Sequence, residues 1–145
     1  MENFGLLCLF GLTLVDDVRF KRIRVFEVIF FGMIGVMMNC FYKTHDLISV
    51  LGGVAVGIVL YIFSIISKEM LGKGDALMIM AVGVYLGFSN TLLLVWISSI
   101  IAALVGGIYL LVTKKNIREE IPFVPFLLTG YSIMLGIKLL GGISL

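Results

Sequence analysis

The chain of 145 residues is 61% hydrophobic and 14% charged, with a net charge of +2 and a mean hydropathy of +1.17. A water-soluble globular domain of this size needs far more polar surface, so that class is excluded, and no nucleic-acid partner is expected. The cysteines Cys8 and Cys40 form no CxxC pair, which argues against a zinc site or a disulfide framework.

Apolar runs occupy residues 4–15, 25–42, 47–67, 76–88, 92–113 and 123–145. They are continuously apolar rather than alternating, which argues for helices and against a strand barrel. The expected fold class is therefore all-α: a polytopic membrane protein, a bundle of six transmembrane helices forming one domain over 1–145. The opening Met1-Glu2-Asn3 lacks the basic stretch of a signal peptide, and no small-residue cleavage site follows. The first run is accordingly read as a retained helix.

Two runs are short. A spanning helix needs about 17–25 residues, and the run 76–88 offers only 13. Joined to the next run it would be too long for one crossing, and Gly87-Phe88-Ser89-Asn90 reads as a turn. Helix 4 is therefore expected to begin earlier, drawing Gly72-Lys73-Gly74-Asp75 toward membrane depth. The same shortage at helix 1 draws in Asp16 and Asp17. The motifs Gly53-x-x-x-Gly57 and Gly83-x-x-x-Gly87 predict close helix approach.

Nine of the eleven basic residues fall after helices 1, 3 and 5: Arg19, Lys21, Arg22, Arg24, Lys68, Lys73, Lys114, Lys115 and Arg118. The positive-inside rule makes that face cytoplasmic and puts both termini outside. Six alternating crossings then bring Asp17 and Asp75 to the same side. Two carboxylates in one poorly hydrated pocket cannot both ionise cheaply, so the pair shares a proton and titrates as a unit. One acid can then take a proton from water while the other protonates a scissile carbonyl. No HExxH motif, P-loop or three-ligand metal set competes, and no metal or cofactor is expected.

A structural reading stands beside this one. Asp75 could cap the helix it precedes, and Asp17 could pair at the boundary with Arg19 or Lys21. Gly72 and Gly74 favour the functional reading, since each weakens a helix start by about 1 kcal/mol unless the backbone must bend or be approached closely. Glu27 is expected to pair with Arg22 or Arg24 rather than to act in catalysis. The rival class is a non-catalytic membrane scaffold or a proton-binding transport subunit.

Three blocks of sequence resemble the type IV prepilin peptidase family, which belongs to the GxGD-type membrane aspartyl proteases. They are Asp17-Val18-Arg19-Phe20-Lys21-Arg22-Ile23, the Gly72-Lys73-Gly74-Asp75 motif with Gly83 and Gly87 downstream, and Ile121-Pro122-Phe123-Val124-Pro125-Phe126. The resemblance implies an aspartyl endopeptidase that removes the basic leader of pilin-like precursors at the cytoplasmic membrane face. It places the catalytic pair on Asp17 and Asp75, with the adjacent Asp16 as the rival for the first position. Arg24 stands where the family usually has proline, and Leu77 where lysine is common. Nothing matches the zinc-binding segment of the larger bacterial members, so proteolysis without methyl transfer is expected. Arg19, Lys21, Arg22 and Arg24 would contact membrane lipids or an acidic residue near the substrate's cleavage point.

Overall fold

The computed structural model describes residues 2–20, 25–43, 45–67, 72–113 and 123–141. All the regular structure among them is helical: α1 (Glu2–Phe20), α2 (Val25–Tyr42), α3 (Leu47–Ile66), α4 (Lys73–Thr113) and α5 (Val124–Gly141). Four stretches are long and apolar enough to cross a membrane, namely α2, α3, Lys73–Tyr109 within α4, and α5. The distribution of side chains fits a lipid surround. Phe26, Ile48 and Leu140 are 80%, 85% and 93% exposed, while Thr13, Asp16, Asp17, Ser64, Thr91 and Ser98 are buried. Lipid leaves apolar side chains nothing to gain by turning inward, and it drives polar ones into the bundle.

The first half of α4 is the central rod. Antiparallel to it lies α1, with Gly5 packed against the Tyr85 ring at one end and Asp17 within electrostatic range of Asp75 at the other. Helix α2 runs parallel to it, placing Gly32 against Ala81 and Gly35 against Tyr85. Tyr85 is thus wedged between α1 and α2, where its hydroxyl donates to the Phe31 carbonyl at 2.6 Å.

Helix α3 crosses antiparallel on another side, with Gly57 on Met80 and Gly53 on Gly83. A methyl group at Gly53 would overlap the Gly83 carbonyl, so the two backbones touch directly. The two small-residue motifs expected to permit close approach therefore meet each other. Helix α5 lies antiparallel to α1, with the Phe10 and Tyr131 ring centroids 5.5 Å apart.

One boundary needs correction. Helix α1 extends over Glu2–Phe20 rather than 4–15, so Asp16, Asp17 and Arg19 are helical residues. Of the five helices among the described residues, α4 comprises two helical stretches separated at the non-helical Gly87. The runs 76–88 and 92–113 join in α4, and the turn expected at 87–90 contracts to a kink at one residue, Gly87, with φ 71° and ψ −176°.

The kink persists because distant side chains replace what it breaks. In a regular helix the Phe88 N–H would reach the Val84 carbonyl. Here Phe88 N–H donates to Ser49 Oγ at 3.2 Å, and Val84 O accepts from Asn39 Nδ2 at 3.1 Å. The Asn39 amide is in turn held by the His45 N–H, 3.1 Å from Asn39 Oδ1. The Thr91 hydroxyl donates to the Gly87 carbonyl at 2.6 Å. Three backbone groups at the break, Val84 O, Phe88 N–H and Gly87 O, thus have side-chain partners. Only glycine readily holds a positive φ at such a point.

Candidate active site

Helix α1 buries Leu6, Leu9, Phe10, Thr13, Asp16 and Asp17. The spacing is i, i+3, i+4, i+7, the stripe one helix face presents to a neighbour. The two acids are therefore the last members of the core face of α1, not residues of a solvated loop. Helix α4 answers with Met78, Ile79, Val82 and Tyr85. Extended backward by helical spacing, that face reaches Asp75, in the first turn of α4. The antiparallel pairing of the two faces puts the acids at one end of the bundle.

Each acid has backbone support of a different origin. Asp17 is 6% exposed, and its Oδ2 accepts the Val124 N–H of α5 at 2.9 Å. The Phe123 N–H also lies toward this carboxylate. Asp75 is partly buried, and the backbone N–H of Gly72 lies toward its carboxyl group. Gly72 lies so close that an added Cβ would sit 2.7 Å from Asp75 Oδ2. That contact gives the first glycine of the motif a physical reason: the Asp75 carboxyl folds back over it.

Of the neighbouring charges, Asp17 is the one that acts on Asp75. Asp16 is equally buried, at 7% exposure, but lies about 100° away around the helix. Arg19 is exposed in the last turn of α1, and Lys21, Arg22 and Arg24 lie outside the described residues. Glu27 is half-buried in the first turn of α2. Chemically, the arrangement is two carboxyl groups from separate helices, one buried and one partly buried, each with a backbone N–H directed at it. Such a pair can hold a water and pass protons both to and from a carbonyl.

The sequence did not disclose the contribution of Phe123 and Val124, whose backbone carries no residue-type signature. The two prolines beside them were the available hint. Asn39 and Ser49 were also missed, although a lone asparagine in an apolar helix needs a partner in membrane.

The profile of the type IV leader peptidase family matches residues 4–107, covering both acids. The chain belongs to this family. A prepilin leader peptidase/N-methyltransferase of Xanthomonas campestris pv. campestris is 28% identical over 117 residues, or 77% of this chain and 41% of the relative. One of the same name from Legionella pneumophila is 30% identical over 103 residues, or 69% of this chain and 36% of the relative. The matches thus span about two fifths of those relatives' length. No solved structure matches the chain.

Proposed function

We propose that this leader peptidase family member is an intramembrane aspartyl endopeptidase. In this reading it cleaves the basic leader of type IV pilin-like precursors at the cytoplasmic face of the membrane. The observation that supports the reading is the approach of buried Asp17 from α1 and partly buried Asp75 from α4 at the same end of the bundle. With one proton shared between them, the ionised acid takes a proton from water as the oxygen attacks the scissile carbonyl. The protonated acid gives its proton to the carbonyl oxygen. Collapse of the tetrahedral adduct breaks the C–N bond, and a proton passes to the leaving amine, regenerating the pair.

Membrane orientation follows the basic residues. Helix α4 holds 41 residues, about 60 Å at 1.5 Å per residue, or twice the roughly 30 Å hydrocarbon core. Two crossings divided at Gly87, together with α1, α2, α3 and α5, give six crossings with both termini outside and the acids inside. The basic rim, including Arg19, then lies against anionic headgroups, where an acidic residue near the cleavage point could also be met.

The test is leader removal from pilin precursors encoded near this chain, co-expressed with it and read by N-terminal sequencing of the shortened product. Asp17→Asn and Asp75→Asn should each abolish processing at normal protein level, whereas Asp16→Asn should not. Full-rate processing by either of the first two would remove that residue from the dyad. Absence of leader removal by the wild-type chain would leave the scaffold or proton-binding reading in its place.

A further inference from the structure

The free N–H groups at the start of α5 can be accounted for one by one. A helix leaves its first few N–H groups without intrahelical partners. Phe126 N–H is satisfied by the Phe123 carbonyl at 3.0 Å, and Leu127 N–H by the same oxygen at 3.2 Å. Pro125, at the second helical position, has no N–H to satisfy. Two donors remain, those of Phe123 and Val124; Val124 N–H donates to Asp17 Oδ2 at 2.9 Å, and Phe123 N–H lies toward the same carboxylate. Asp17 therefore caps a helix that begins 107 positions along the chain from it.

Asp75 differs. The backbone N–H that lies toward it is that of Gly72, three residues earlier in its own segment, so that contact moves with the residue and fixes nothing relative to the rest of the bundle. Two further features separate the acids. A carboxylate facing two N–H groups is favoured over a carboxylic acid, whose O–H would oppose a donor. The N-terminus of α5 also adds about half a positive charge at the end that faces Asp17.

Resting on the dyad reading above, we infer that the opening turn of α5 is a positioning element for Asp17. It holds that side chain as the base that takes the proton from water, and it leaves Asp75 as the acid. The reacting groups are Asp17 and Asp75; Phe123 and Val124 act through Asp17.

The test removes one N–H and keeps the helix. Proline is tolerated at the first helical position because its fixed φ suits the helix and that N–H is not part of the ladder. Val124→Pro deletes the donor; Val124→Ala deletes the buried side chain but keeps the donor, and serves as the reference. On a pilin-type precursor in membranes, kcat of Val124→Pro should fall about tenfold or more below that of Val124→Ala, with KM within about twofold, as expected when a catalytic group is misplaced without loss of substrate binding. Should the proline variant fail to accumulate, the α-hydroxy analogue of valine at 124 replaces the N–H by an ester oxygen and retains the side chain. It should show the same loss of kcat against wild type. Equal kcat for Val124→Pro and Val124→Ala, or an ester variant that cleaves at the wild-type rate, would overturn the inference. Asp17→Asn run in parallel separates the two readings. An active Asp17→Asn defeats the dyad itself, whereas a dead Asp17→Asn beside an unaffected Val124 series defeats only the role of α5.

Discussion

Replacing Gly72 by alanine should separate activity from stability. Gly72 does not have a positive φ; among the described glycines only Gly87 does. Alanine can adopt its conformation, and reduced freedom of the unfolded chain should then favour folding by about 0.4–1 kcal/mol. The added Cβ would stand 2.7 Å from Asp75 Oδ2, where a carbon–oxygen contact needs roughly 3.3 Å. The carboxyl group must therefore yield by about 0.6 Å, and as the end of a side chain it can do so by rotating at little cost to the fold. Its position relative to Asp17 is lost in the process. Misplacement of a reacting group by about 1 Å costs on the order of a hundredfold. A kcat loss of about ten- to fiftyfold follows, equivalent to roughly 1.4–2.3 kcal/mol in the barrier. Leader removal per unit of enzyme in membranes, together with the thermal midpoint in detergent, measures both quantities. Full activity in Gly72→Ala would refute the argument. So would an activity loss that merely follows a fall in the midpoint, because the damage would then be structural.

Gly53→Leu should destabilise the bundle by about 1–3 kcal/mol, the ordinary cost of overpacking. The added side chain meets Gly83 backbone atoms, which no rotamer change can move; titration with a denaturing detergent would measure the loss. Asn39→Leu removes the donor to Val84 O and the acceptor of the His45 N–H. It should cost roughly 0.6–1.7 kcal/mol, the range for polar bonds between membrane helices, while proteolytic activity per folded molecule changes little. A proton shared between Asp17 and Asp75 should give a bell-shaped pH–rate profile, since activity requires one acid ionised and the other protonated. A rate that stays flat from acidic to neutral pH would contradict the shared proton.

How much of this was legible from residue order depends on the range of the interaction. The core face of α1 was readable only in part: the shortness of the first run draws Asp16 and Asp17 inward, but Leu7, Leu12 and Val15 are as apolar as Leu6, Leu9 and Phe10, and packing alone decides which of them face the bundle. The meeting of Gly53 with Gly83 was half-readable, since small residues announce close approach but not the partner. The break at Gly87 was seen, but its consequence was not. A turn was expected because Gly87-Phe88-Ser89-Asn90 has the composition of one. The chain remains helical on both sides because Asn39 and Ser49, supplied by other helices, satisfy the two groups that a turn would otherwise have left unbonded.

The same reasoning explains why Asp17 could be found while its support could not. An acid on an apolar face is conspicuous because its burial demands a compensating partner. The partner here is main chain, which reads identically at every non-proline position. Only the prolines flanking Phe123 and Val124 distinguish that site, by narrowing which donors at the start of α5 remain to be given away. On the proposed reading, the chemistry at Asp17 depends on a helix that meets it through main chain. For that reason Val124→Pro, more than any change of an ionisable residue, tests whether the bundle exists to hold one carboxylate in place.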